Sequence, residues 1–196
     1  LPCAISFNLM GNTPELMEPY FRYYDERWDG FRKNAKMFYG CRGFHVPAQL
    51  TVSPLLTNFS PGYPLHYSHA GAPWALQFYY DYYQYTGDKE FLKERAYPLM
   101  KEAAEFYEDF LTIKDDKGKF VFVPSYSPEN YPNGGPPSSI NATMDISAAK
   151  QLLRNLIKAS QILNVDEDYR DTWNELINNL PDYEVDDEGY FREWLW

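Results

Sequence analysis

The sequence predicts an all-α protein: long helices in successive pairs, with extended loops and short β-hairpins at their ends. Three observations point to it. Apolar residues recur at three- and four-residue spacing through several long stretches. Those stretches are bounded by capping residues such as Thr13-Pro14, Gly40, Gly87 and Asn164. Between them lie irregular segments rich in Pro and Gly. Helices with one buried aromatic stripe and loops gathered at their ends suit an α/α toroid, in which paired helices pack side by side around an axis. The stretches fill less than half of such a ring, and Leu1-Pro2 and Trp196 read as mid-element ends. The expectation is one fragment, residues 1–196, of a single toroidal domain.

Residues 1–12 read as an apolar, small-residue segment ending in a Gly-Asn turn. Thr13-Pro14 is a helix start, a hydroxyl cap followed by Pro at the first helical position. One helix is expected from there to Gly40, burying Leu16, Met17, Tyr20, Phe21, Tyr24, Trp28, Phe31, Ala35 and Phe38. Residues 41–68 are irregular and carry Pro47, Pro54, Pro61 and Pro64. Structured loops of that length are usually functional. This region and the residue that follows it hold the histidines, His45, His66 and His69, open between substrate hydrogen bonding and plain loop packing; His66-x-x-His69 in a loop is a weak metal pattern.

A second helix is expected over residues 70–86, closed by Gly87, with Trp74, Phe78, Tyr82 and Tyr85 on its core face; Trp74 also sits where it could point into a cleft. Asp88 caps a third stretch that Pro98 must kink or split. Its second half turns Ala103, Phe106, Tyr107 and Phe110 inward and leaves Lys101, Glu102, Glu105 and Glu108 as a solvated face. After the turn at residues 115–118, residues 119–123 read as a β-run. A fourth helix is expected over residues 143–163 and a fifth over 166–180, with Tyr169, Trp173, Leu176 and Ile177 inward. A hairpin pairing residues 183–185 with 190–194 closes the chain.

Charge and composition narrow the function. A net charge of -10 argues against nucleic acid or an anionic membrane as partner. No apolar run is long enough to cross a bilayer. The aromatic share of 18% suits sugar stacking and, more commonly, packing between helices. Cys3 and Cys41 fit either an exported or a cytosolic protein. Asn58-Phe-Ser and Asn141-Ala-Thr match the glycosylation acceptor pattern, which arises easily by chance. No signal peptide is visible, and no cofactor or metal is called for.

The stretch that carries chemistry is Phe122-Val-Pro-Ser-Tyr-Ser-Pro-Glu-Asn130. One carboxylate, Glu129, stands among small, stiff and aromatic residues. Ser125, Ser127 and Asn130 are placed to hydrogen-bond it, and Tyr126 to wall it from water. Partial burial keeps a carboxyl protonated and fits it for general acid work. The bland alternative is a carboxylate that caps backbone or pairs with an Arg. Asp145, in the first turn of the fourth helix, favours the helix dipole and also faces whatever the loop encloses.

Residues 85–106, then Pro124-Ser-Tyr-Ser-Pro-Glu-Asn130, Thr143-Met-Asp145, Tyr39-Gly-Cys-Arg-Gly43 and Gly189-x-x-x-Glu193-Trp194, resemble glycoside hydrolase family 95 from about Asn8 to Trp196. That family contains α-L-fucosidases and α-L-galactosidases with an (α/α)6 barrel. The resemblance implies inverting hydrolysis of a glycan, with Glu129 as general acid. Trp74, His45, His69, Tyr126, Asn130 and Asp145 are then the candidate substrate contacts. It also implies a secreted or periplasmic protein, and puts the water-activating residues in the rest of the parent catalytic domain, so that the fragment alone should be inactive. Two departures bear on sugar specificity. Residues 44–51 replace the family's His-rich run and retain only His45, and Ala70-Gly-Ala-Pro-Trp74 replaces Gly-Gly-Ala-Trp. The rival readings are a non-catalytic carbohydrate-binding module and another six-hairpin glycosidase.

Overall fold

The computed structural model describes residues 2–50, 52–56, 62, 64–130, 135 and 138–195. It is all-α, as expected for part of a six-hairpin toroid. The helices are α1 (Pro2–Met10), α2 (Glu18–Asp25), α3 (Trp28–Tyr39), α4 (Gly71–Thr86), α5 (Lys89–Phe91), α6 (Tyr97–Phe110), α7 (Thr143–Leu163) and α8 (Tyr169–Asn179). α4 packs with α6 and α7 with α8, and α7 packs against α4 and α6 as well. No described helix is long and apolar enough to cross a membrane.

The first 12 residues hold a helix, α1, where only an apolar segment was expected. The single helix expected up to Gly40 is divided instead. Thr13 does not cap it; its hydroxyl donates to the Asn8 carbonyl (2.9 Å). A 3₁₀ turn, Pro14–Met17, leads into α2, and the chain breaks again at Glu26-Arg27. There the Arg27 amide bonds Tyr24 O (2.7 Å) rather than Tyr23 O, and its guanidinium takes the Tyr23 carbonyl instead (2.7 Å). The aromatic stripe survives the break, because Tyr20, Phe21, Tyr24, Trp28 and Phe31 are all buried. Leu16 and Phe38, at its ends, are not.

Phe21 packs on Tyr79 of α4 with ring centroids 4.6 Å apart. Asp25 ties the same contact by accepting from Tyr79 Oη (2.7 Å) and from Arg95 Nη2 (2.6 Å). Because α2 and α7 both cover α4, its buried arc is wide: Ala72, Ala75, Leu76, Phe78, Tyr79 and Tyr80. Trp74 and Tyr85, expected on the core face, fall outside that arc and are exposed. Asp88 caps α5 by accepting from the Phe91 amide (2.9 Å). Pro98 offers no N–H to the turn before it, and a π-turn, Leu92–Ala96, precedes α6. α7 and its left-handed cap Asn164 stand where the sequence put them.

Two expectations fail for identifiable reasons. The β-run at 119–123 forms no strand, because its amides go to different partners: Phe120 N to Asn179 O, Val121 N to Ile113 O, and Phe122 N to the Asn141 side chain. The acids of α6 are not simply solvated. Arg32 bonds Glu102 (Nη2 to Oε2, 2.7 Å), and Arg42 bonds Asp109 (Nη2 to Oδ1, 2.8 Å).

These pairs lay residues 40–46 flat on α6, and Gly43 makes the approach possible. Its φ is +71°, and a Cβ there would collide with the Glu102 carbonyl oxygen and lie 2.8 Å from the Phe106 nitrogen. Gly43→Ala is therefore expected to lower stability by more than about 1 kcal/mol, read as a shift in denaturant midpoint; an unchanged midpoint would refute the close approach.

Cys41 is a free, buried thiol. The acceptor pattern at Asn141 is internal: its side chain is buried and takes the Phe122 amide (2.7 Å), so a glycan there is incompatible with the fold. Asn58 lies outside the described residues.

Candidate active site

Two helix starts define the site. α4 opens at Gly71 and α7 at Thr143, and the carboxylate of Asp145 joins them. Asp145 is completely buried. Its Oδ1 accepts from the His69 amide (2.8 Å) and its Oδ2 from Ser125 Oγ (2.6 Å). The Tyr126 and Ala70 amides bond it too. One side chain therefore fixes the entry to α4, the start of α7 and the base of the loop at 124–130. Burial pushes its carboxyl up to about 7, against the pull of these donors.

Ser125 completes the base. Its hydroxyl accepts from the Ala142 amide (3.0 Å), and its backbone exchanges bonds with Ser139 (2.9 and 2.8 Å). The loop then climbs to a turn closed by Asn130 N on Ser127 O (2.8 Å), with Pro128-Glu129 at its tip. The donors expected on Glu129 are engaged elsewhere. Ser125 serves Asp145, while Ser127 Oγ and Asn130 Nδ2 both donate to Glu193 Oε1, the latter at 3.0 Å. Glu129 is exposed and makes no hydrogen bond or ion pair with any described residue. Tyr126 is buried beneath the turn rather than placed as a wall around it.

Beside the turn lies a cleft of about 660 Å³. Tyr20, Tyr23, Tyr24, Leu50 and Trp74 form its walls, and Pro128 and Met144 reach its rim. A groove of about 460 Å³ between α4 and α7 shares Trp74 and Met144 with it. Trp74, 45% exposed, is thus the ring that both spaces have in common. Glycosyl units bind through apolar ring faces stacked on aromatics and through hydroxyl hydrogen bonds, and this combination of surfaces suits them.

His45 and His69 take a different position from the other candidates. Both are buried in an aromatic cluster with Tyr39, Phe106 and Phe110, their ring centroids 5.7 Å apart, and neither lines the cleft. His69 Nε2 lies 2.9 Å from Pro124 O, so it carries the proton there, while its Nδ1 meets no described partner. Burial pulls His69 down to about 4 and His45 lower than an ordinary imidazole, so both are neutral near pH 7. His69 supports the loop through Pro124 O, and His45 packs behind His69. Of the candidates, Glu129, Asn130 and Trp74 are exposed and only Trp74 lines the cleft, whereas Asp145, Tyr126, His45 and His69 are buried.

The sequence model of the Glycosyl hydrolase family 95 catalytic domain matches residues 8–196. The chain belongs to glycoside hydrolase family 95. Alpha-L-fucosidase 2 of Arabidopsis thaliana is 34% identical over 206 residues, covering 95% of this chain and 23% of that protein. Kojibiose hydrolase of Flavobacterium johnsoniae is 33% identical over 110 residues, covering 55% of this chain and 15% of its own. An uncharacterized glycosyl hydrolase of Mycobacterium tuberculosis is 26% identical over 120 residues, 59% of this chain and 9% of that protein. The family 95 chain described here thus spans about a quarter or less of the length of these relatives.

What sequence reasoning missed in this family 95 site is the division of labour among carboxylates. Asp145 and Glu193 stood out only as a first-turn acid and a motif acid. The available signal was the count of donors: two serines and an asparagine near one Glu exceed what an exposed carboxylate needs.

Proposed function

We propose that the protein containing this chain hydrolyses an α-linked glycoside, of L-fucose or a related sugar, with inversion and with Glu129 as general acid. Glu129 would protonate the glycosidic oxygen as the bond to the anomeric carbon breaks, while water enters from the opposite face. Such enzymes hold acid and base about 6.5–9.5 Å apart to admit that water. Trp74 would stack on the sugar, and Asn130 stands close enough to the tip to meet a hydroxyl. The observation that carries the reading is a braced turn that exposes the Glu129 carboxylate next to Pro128, which lines an aromatic cleft, in a family 95 chain. A secreted or periplasmic location goes with the reading and is supported by the family resemblance alone.

The test is to supply the intact protein with a fucosyl disaccharide and to follow the first-formed anomer by proton NMR. Inversion is expected; retention would exclude the mechanism. The kojibiose hydrolase relative favours a second reading, in which another α-linked disaccharide is the substrate, and kojibiose belongs in the same assay. Binding of either sugar without turnover would instead favour a carbohydrate-binding role.

Trp74→Ala is expected to raise KM about fivefold in the intact protein, matching the loss of roughly 1 kcal/mol of stacking, with little change in melting temperature. A lowered melting temperature at unchanged KM would make Trp74 a packing residue.

A further inference from the structure

We infer that Glu193 is a positioning residue, whose carboxylate holds the turn that presents Glu129 and so fixes the direction in which that acid delivers its proton. The inference rests on Glu129 being the general acid.

Glu193 Oε1 accepts from the residues on either side of the turn's tip, Ser127 Oγ and Asn130 Nδ2. Among the described residues, the turn itself is closed by one backbone bond, Asn130 N to Ser127 O (2.8 Å). A four-residue turn with a single backbone bond can rock about its stem; a shared acceptor clamping both flanks removes that freedom. Glu193 is itself anchored. The Thr143 amide donates to its carbonyl (2.9 Å), Thr143 Oγ1 donates to Arg192 O, and Ala142 bridges to Trp194. The clamp therefore refers the turn to the first turn of α7, the same frame that Asp145 uses for the loop's base. Two carboxylates hold the loop at its foot and near its tip, and the third, Glu129, is left without a partner among the described residues.

Proton transfer needs donor and acceptor within about 2.6–3.2 Å, and a misplacement near 1 Å costs roughly 10²-fold. A clamp should therefore act on kcat for substrates that need the acid and spare those that do not.

The experiment compares Glu193→Ala, Glu193→Gln and Ser127→Ala with wild type in the intact protein. Substrates are a fucosyl disaccharide, or kojibiose if that is what wild type cleaves, and the activated 4-nitrophenyl glycoside of the same sugar. For Glu193→Ala we expect kcat on the disaccharide to fall about 10²-fold at near-constant KM, with less than about tenfold loss on the activated glycoside. Glu193→Gln keeps an acceptor oxygen and should recover most of the loss. Ser127→Ala cuts the clamp from the other side and should shift the two substrates in the same direction, which keeps the test alive if Glu193→Ala does not fold. Glu193→Ala added to Glu129→Gln should cost little more than Glu129→Gln alone. Equal loss on both substrates with a lower melting temperature, or no loss on either, overturns the clamp. If Glu129→Gln itself leaves the disaccharide rate intact, the general-acid reading falls first and the clamp with it. A damaging Glu129→Gln beside a silent Glu193→Ala removes the clamp alone.

Discussion

Asp145→Ala should lower the unfolding free energy of the intact protein's domain by about 3 kcal/mol or more. The carboxylate is fully buried and gathers the Ser125 hydroxyl and the His69, Tyr126 and Ala70 amides. Each buried donor left without an acceptor costs roughly 1–3 kcal/mol, and water entering the small void would recover only part of it. Asp145→Asn keeps the volume and one acceptor oxygen, so its loss should be smaller. A pH signature separates a titrating group from a merely packed one. The folded carboxyl, at about 7, holds its proton more tightly than the unfolded one, near 3.8. Its contribution to stability is therefore complete below the ordinary carboxylate range and declines as pH rises through about 7. Chemical denaturation at pH 5 and pH 8 should show wild type losing stability between the two and Asp145→Asn losing less. A wild type that gains stability over the same interval would contradict the assignment.

Legibility followed the range of the forces. α7 was placed to the residue because its signals are local: a 21-residue apolar periodicity and an Asn at the left-handed cap, φ 54°. The division of the first long helix was not legible, since Thr13 had a competing acceptor in Asn8 and Arg27 could take the Tyr23 carbonyl with its own side chain. Neither choice appears in a capping pattern. The face of α4 was misjudged because periodicity assumes a single covering partner, whereas α2 and α7 both cover it. At the site, the sequence singled out the loop at 124–130 and Asp145 at its base but not who bonds whom. Ser127 and Asn130 reach a carboxylate more than 60 residues away, Glu193, in preference to their neighbour Glu129. Local reading assigns donors to the nearest acceptor in sequence; folding assigns them to the nearest in space.

Glu129→Gln should be the most damaging substitution for catalysis. A positioned general acid contributes about 10²–10⁴-fold, and Gln cannot give up a proton, although its size and its place on the turn are nearly the same. Because Glu129 is exposed and bonds no described residue, the substitution should leave the unfolding free energy within about 0.5 kcal/mol of wild type. The loss must therefore be chemical. It must also depend on the leaving group: an alkoxide departing from a disaccharide needs the proton, whereas 4-nitrophenolate departs largely without it. The decisive measurement is kcat for the disaccharide and for the 4-nitrophenyl glycoside of the same sugar, wild type beside Glu129→Gln, in the intact protein. A loss of at least about 10²-fold on the disaccharide with a much smaller loss on the nitrophenyl glycoside is predicted. Equal rates for the two proteins on the disaccharide would remove Glu129 from the mechanism.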